Sequence, residues 1–223
     1  MQLEEFQVVF LLQRRGCEMK LDLKKQRRVL LDTGSVVKIG MLSGVGVVLM
    51  LLDFPLPIFP AFLKMDISDV PSIIGTFAMG TWAGVAIEFL KNLLKIIIGS
   101  NTFGVGELAN FLVGIAYVIP LGIIYQKQVN RKGVLVGCLT AVISMAIFGG
   151  IFNYFILIPF YARAFDIPVD SIVNTAAKIN SLIIDFRTLI VYAIVPFNLL
   201  KGIIMSVVGF GLFKVLQPLF KKN

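Results

Sequence analysis

The segment Asp53-Phe54-Pro55-Leu56-Pro57-Ile58-Phe59-Pro60-Ala61-Phe62-Leu63-Lys64-Met65-Asp66-Ile67-Ser68 decides how the rest of the chain is read. Pro55, Pro57 and Pro60 remove backbone donors and fix φ, so no helix continues through it. Before it lies an apolar run, Ser35–Leu52, and after it apolar runs follow one another almost to the C-terminus. A long loop rich in Phe and Pro between such runs reads as functional, because long loops inside compact proteins usually carry function.

The composition sets the class. Of 223 residues, 57% are hydrophobic and 15% charged, with 19 Phe and 20 Gly. A soluble domain carries about a quarter charged residues, so a disordered, fibrous or ordinary cytosolic protein is excluded. Six spans of ~20 residues would take ~120 positions, leaving little for a soluble domain. There is no His, which removes imidazole metal sites and Ser-His-Asp triads. Cys17 and Cys138 stand alone without CxxC spacing and indicate neither a zinc site nor a disulfide framework. A membrane enzyme stays open on composition, but it would have to work with Asp, Glu, Lys or Ser alone.

Working outward from the loop, the apolar runs divide at their breakers into six spans. The first is Ser35–Leu52. Asp69–Gly99 is too long for one ordinary span and short for two, and its glycines predict two shortened helices over 70–80 and 82–98. The fourth is Glu107–Gln126 and the fifth runs from Lys132 to about Tyr161. A polar segment, Arg163–Arg187, follows. Proline favours the first helical position, so the sixth span is expected over Pro196–Leu216, with Ser181–Val195 a separate short segment at the surface.

Residues 1–34 hold seven Lys/Arg and five Asp/Glu and read as a cytosolic N-terminal extension. Arg14-Arg15-Gly16 before Met19 is what a translated ribosome-binding site would encode, so translation is expected to start at Met19, with 1–18 not natively made. The membrane domain covers 35–217 and a cytosolic tail 218–223. The Lys/Arg bias sets orientation. With both termini inside, Lys38, Lys127, Arg131, Lys132, Lys214, Lys221 and Lys222 join the arm on the cytosolic side, and only Lys64, Arg163, Lys178 and Arg187 lie outside. The +8 net charge then needs only anionic lipid as a partner, and no nucleic acid.

Polar side chains at membrane depth are costly and mark functional sites by default. Glu107, Asn110 and Gly114 share a face of the fourth helix at i, i+3, i+7. Asn153 lies near the outer end of the fifth, and Asn198 and Lys201 lie in the first turns after Pro196. The loop, with Phe59 and Phe62, is on the same side. Apolar walls with a few fixed polar groups suit a small-molecule pocket, and amides suit a flat, neutral, heteroatom-rich ligand. The competing readings are structural. Asn198 could cap a helix, Lys201 could snorkel, and Asn110 could bridge helices. Glu88, Lys91 and Lys95 at i, i+3, i+7 read as a structural ion pair or snorkelling rather than ligand contacts. Asp66 and Asp69 read as acids favouring a helix dipole. Gly40 and Gly44 form a small-xxx-small pair, which lets another helix approach closely.

Four stretches carry a resemblance. They are Phe54–Gly75, Gly84-Val85-Ala86-Ile87-Glu88-Phe89-Leu90-Lys91-Asn92-Leu93-Leu94, Gly106-Glu107-Leu108-Ala109-Asn110-Phe111 and Pro196-Phe197-Asn198-Leu199-Leu200-Lys201-Gly202. In order and spacing they resemble the riboflavin-specific S components of energy-coupling-factor (ECF) vitamin transporters, over roughly residues 35–217. The resemblance implies an all-α integral membrane fold of six helices, N-in and C-in, with a riboflavin site near the outer face. That site would be capped by the first loop and lined by helices 4 to 6. It implies Asn153, Asn198 and Lys201 as ligand contacts, with Gly114 beside them; Glu107 and Asn110 extend the set by helical facing. It also implies that Gly40 and Gly44 dock EcfT, the transmembrane subunit joined to two ATPases; the family's usual residues there are alanines. The chain itself has no GxxxxGK[ST] loop, so ATP would be bound by those partners and riboflavin carried as cargo, with no resident cofactor. The location implied is a prokaryotic cell membrane. An S component for another vitamin or FMN, or a stand-alone permease, is the alternative; a permease would need inverted repeats or broken helix pairs, and none is found beyond the Gly-rich region of helices 2 and 3.

Overall fold

The computed structural model describes residues 32–220, with side chains up to Phe213. The expectations placed on the N-terminal arm before Asp32, on a start at Met19 and on the last residues of the tail lie outside the described residues. The chain divides into two compact units, residues 1–38 and 39–223. In the first, Asp32 accepts the Ser35 N–H at 3.1 Å and opens helix α1, Thr33–Met50.

In the second unit, loop 53–68 is an ordered hairpin. Two short strands, β1 (Phe54–Pro55) and β2 (Lys64–Met65), pair antiparallel with Phe54 opposite Met65. Lys64 and Asp53 close the base at 3.1 Å. Between the strands, Phe59 N–H donates to the Leu56 carbonyl and Leu63 N–H to that of Pro60. The prolines therefore terminate α1 and shape two tight turns, leaving few backbone donors unmet.

Helices α2 (Val70–Met79) and α3 (Thr81–Ile98) agree with the two shortened helices expected. Gly80 separates them at φ +101°, a region that favours glycine, and its N–H closes α2 on the Thr76 carbonyl. Helix α4 is Val105–Lys127. Helix α5 runs Arg131–Ala164, opened by the Asn130 side chain accepting the Gly133 N–H. The 163–187 segment contains a short helix, α6 (Val169–Ala177).

The last helix, α7, departs from expectation. It begins at Phe186 rather than Pro196, so Ser181–Val195 is not a separate surface segment. Asp185 and Thr188 form a capping box at its start. Pro196 is absorbed by a π turn, Ile190–Ile194, in which the helix widens just before the proline. The same device recurs in α5, where a π turn at Asn153–Leu157 precedes Pro159. A proline cannot donate to the carbonyl four residues back and its ring crowds it; that residue is Phe155 in one helix and Tyr192 in the other, each inside its π turn. A wider turn relieves both problems and the helix continues.

The molecule is mostly helical, and four helices are long and apolar enough to cross a membrane: Thr33–Met50, Val105–Lys127, Arg131–Ala164 and Phe186–Phe213. Helix α2 is too short, and α3 carries Glu88, Lys91 and Lys95. The main core joins α2, α4, α5 and α7 around Ile73, Tyr117, Leu121, Ala141 and Met205, with Phe77, Tyr125 and Phe213 in mutual edge-to-face contact. A second cluster packs α6 between the far turns of α5 and the first turns of α7, where Tyr154 stacks on Phe186 at 4.9 Å.

Close packing of α3 depends on Gly84, where a Cβ would strike Thr76 Oγ1 and lie 2.8 Å from Val118 Cγ1. Gly84→Ala is therefore expected to destabilise by about 1–3 kcal/mol through overpacking. Gly211→Ala, with nothing within 4 Å, should be neutral or stabilising by about 0.5–1 kcal/mol, because alanine is the better helix former. Thermal unfolding of both variants in detergent checks the contrast.

Candidate functional site

The hairpin rests on α7 through one aromatic contact. Phe59 meets Phe197 edge-to-face at 5.3 Å, with Met65 buried beside them. Asn198 and Lys201 follow Phe197 by one residue and by just over one helical turn, so the loop sits directly beside the polar part of α7. Phe62 is instead half-exposed at the loop's tip.

Lys201 does not snorkel. It is 4% exposed, and its ammonium donates to Asp66 Oδ2 at 3.3 Å and Asn110 Oδ1 at 3.0 Å, with Asp69 Oδ2 at 3.1 Å. Asp66 and Asp69 are therefore ion-pair partners of the last helix rather than mere helix-dipole acids. Asp66 also accepts the Ser68 N–H at 2.8 Å, which fixes the chain where the loop enters α2.

The ionic cluster continues into α3. Lys91, fully buried, donates to Ser68 Oγ at 3.0 Å, to Asp69 Oδ1 and to Glu88 Oε1 at 3.1 Å. The Glu88–Lys91 pair expected from the i, i+3 spacing is formed, and extended by Asp69. Two lysines thus share one carboxylate: Oδ1 of Asp69 faces Lys91 and Oδ2 faces Lys201. Burial alone would raise the Asp69 carboxyl, but the Lys201 and Lys91 ammoniums overcome it and hold it below the usual carboxylate range.

The amides flank this cluster. Asn110 on α4 takes the Lys201 proton on its oxygen and donates to Asn92 Oδ1 at 3.4 Å, so it both bridges helices and orients the lysine. Asn198 is buried within α7 and donates to the Ile194 carbonyl at 2.9 Å; it is an interior residue, since the helix starts well before it. Its oxygen keeps acceptor capacity. Asn153 donates to the Gly149 carbonyl at 2.8 Å. A Cβ at Gly149 would come within 2.8 Å of Asn198 Nδ2, so this glycine lets the α5 backbone approach the Asn198 amide. Gly114 has a comparable reason: its missing Cβ leaves room for the Glu88 carboxylate, whose Cδ would otherwise be 2.8 Å away.

The structure therefore joins Asn110 to Lys201 and Phe59 to Phe197, turns Asn198 toward Gly149 of α5, places Gly114 against the Glu88 carboxylate, and sets Asn153 one turn from Gly149. Glu107 is taken up elsewhere. It accepts the hydroxyls of Ser100 at 2.7 Å and Thr102 at 3.0 Å and ties loop 99–104 to the start of α4. Sequence reasoning missed the joint role of Asp66, Asp69, Glu88 and Lys91. The available signal was the requirement that buried charges be paired: two acids before α2 and one lysine inside α3 need partners that only tertiary structure supplies.

The chain matches a known family. Residues 34–213 match the family described as ECF transporter, substrate-specific component. The chain is 38% identical to the riboflavin transporter FmnP of Bacillus subtilis, over 82% of this chain and 92% of that protein. It is 34% identical to the riboflavin transporter RibU of Staphylococcus aureus, over 91% and 97% respectively. A solved structure described as the S component of a bacterial ECF transporter superposes with a TM-score of 0.68 at 34% identity, covering 85% of this chain and 98% of that one. The protein belongs to the family of ECF transporter substrate-specific components, which are transport proteins.

Because the Glu107 carboxylate serves its own loop, Glu107→Ala is expected to cost about 1–3 kcal/mol by leaving the Ser100 and Thr102 hydroxyls without their acceptor. The expected reading is a lowered unfolding midpoint in detergent, with the thiol reactivity of buried Cys138 unchanged in the folded state.

Proposed function

We propose that this protein is the riboflavin-binding and translocating subunit of an ECF-type ABC transporter in a prokaryotic cell membrane. In this reading six helices (α1 to α5 and α7) lie in the bilayer, with both termini on the cytosolic side as the Lys/Arg distribution favours. The observation that carries it is the juxtaposition of Phe59 and Phe197 with Asn198 and Lys201, in a chain whose near-full-length relatives are named riboflavin transporters.

The chemistry suits a flat ligand with polar edges. Phe59 and Phe62 supply apolar area from the hairpin, while Asn153, Asn198 and Lys201 offer donors and acceptors for ring heteroatoms or hydroxyls. Asn110 and Gly114 shape the α4 side. Riboflavin enters from outside, the hairpin closes over it, and the loaded subunit delivers it inward when coupled to partners. EcfT and two ATPases fill that role, and ATP is bound by them. The Gly40–Gly44 face of α1 is the docking surface for EcfT; a Cβ at either position would meet nothing within 4 Å, so the ridge is open to a closely approaching helix.

Two outcomes check the reading. Each buried ligand hydrogen bond left unmade costs about 1–3 kcal/mol, so Asn198→Ala and Lys201→Ala are each expected to weaken riboflavin binding at least about tenfold. Quenching of flavin fluorescence by purified protein measures this, with FMN titrated alongside; unchanged affinity in both variants would refute the site. Gly40→Leu should leave riboflavin binding intact and abolish cellular uptake, and preserved uptake would reject the docking face.

A further inference from the structure

Lys91 has no place in the ligand contacts above, yet it is fully buried and saturated with partners. Lys201 is held differently: it donates to Asp66 and Asn110, while Asp69 Oδ2 lies 3.1 Å away as an ion-pair partner without a hydrogen bond. Its hold on Asp69 is therefore the looser one. We infer that Lys91 is a positioning residue for ligand capture: by holding one oxygen of Asp69 it weakens that carboxylate's grip on Lys201 and keeps Lys201 exchangeable.

The charges support this division. Asp66 and Asp69 from the hairpin and its junction with α2, Glu88 and Lys91 from α3, and Lys201 from α7 make three carboxylates against two ammoniums. Both lysines bear on Asp69, so neither holds its full charge. Without Lys91, three buried carboxylates would face Lys201 alone, and in a poorly screening interior Lys201 would be drawn fully into the network. The Lys91 stem is fixed for the task. A Cβ at Gly46 of α1 would lie 3.2 Å from Lys91 Cδ, so the helix passes close against it. Among the described residues no titratable side chain of α1 or α4 joins these ion pairs, so Asp66, Asp69, Glu88 and Lys201 are the groups through which Lys91 acts.

The inference rests on the riboflavin reading, and the test separates the two. The full-length protein in detergent is titrated with riboflavin by fluorescence quenching. Absence of binding by the unsubstituted protein overturns that reading and this inference with it. If it binds, Lys91→Met is expected to weaken affinity at least about tenfold, and Lys91→Met combined with Asp69→Asn to recover it to within about threefold, because contacting residues couple non-additively. A merely structural lysine would show no such rescue. Full affinity in Lys91→Met, or a double variant as weak as Lys91→Met, overturns the inference. Should Lys91→Met fail to fold, Asp69→Asn alone decides: affinity equal to or tighter than the unsubstituted protein supports the role, and a loss of about tenfold or more overturns it.

Discussion

One carboxylate, Asp69, ties together the parts of this protein that must act in concert. It stands where the hairpin becomes α2, and its two oxygens face lysines from α3 and α7. Buried ions are expensive, and their attraction repays desolvation only where geometry and hydrogen bonds are good. Here Asp66, Ser68, Glu88 and Asn110 complete the shells of the two ammoniums. Removing one partner of a buried pair strands the other, at about 3–5 kcal/mol. The network ties loop, short helix, α3 and α7 to one another through paired charges. Neighbouring glycines obey the same constraint. Gly114 and Gly46 lack the Cβ atoms that would encroach on Glu88 and Lys91.

What could be read from the sequence divides along locality. The ends of α1, α2, α3, α4 and α5 follow from breakers, glycines and apolar length, and the structure places them within a few residues of expectation. The start of α7 did not follow, because a rule about isolated prolines cannot anticipate a π turn that accommodates one. The capping box Asp185–Thr188 was a local sign of the true start, outweighed by Pro196. For the site, the residue types at depth were legible, and so was the Glu88–Lys91 pair. Partnerships across 91 and 135 residues, of Lys201 with Asn110 and with Asp66, were not. Nothing in a period or a spacing specifies which distant carboxylate an ammonium will meet. Glu107 shows the converse. Helical facing grouped it with Asn110, while two hydroxyls in the preceding loop claim it.

The two π turns bear on how the site is built. Both lie just before prolines, in α5 and α7, at or next to the residues that carry the amides Asn153 and Asn198. An α-helix commits each backbone carbonyl to an N–H four residues on. Where proline withdraws that donor, a side chain can use the carbonyl instead or the backbone can widen. In α7 the backbone widens at Tyr192, the carbonyl Pro196 cannot serve, while Asn198 donates to the Ile194 carbonyl one turn before itself. Pro159 and Pro196 thus coincide with irregular stretches, with Asn153 inside one and Asn198 one turn past the other.

The length of α2 accounts for the position of the hairpin. Ten residues at 1.5 Å rise span ~15 Å, half of a ~30 Å hydrocarbon core. A helix that short, packed between full-length neighbours, leaves the rest of its path to the chain that precedes it. That chain is Asp53–Ser68, irregular apart from its two short paired strands. The hairpin is anchored by its own turns, by the Asp66 acceptor for Ser68 N–H and by the buried Phe59 on Phe197, while Phe54, Ile58, Phe62 and Ile67 stay exposed. A shortened second helix, a proline-rich hairpin and a buried lysine are therefore one arrangement: the loop leads into the short helix, and Asp66 and Asp69 at their junction tie both to Lys201 of α7.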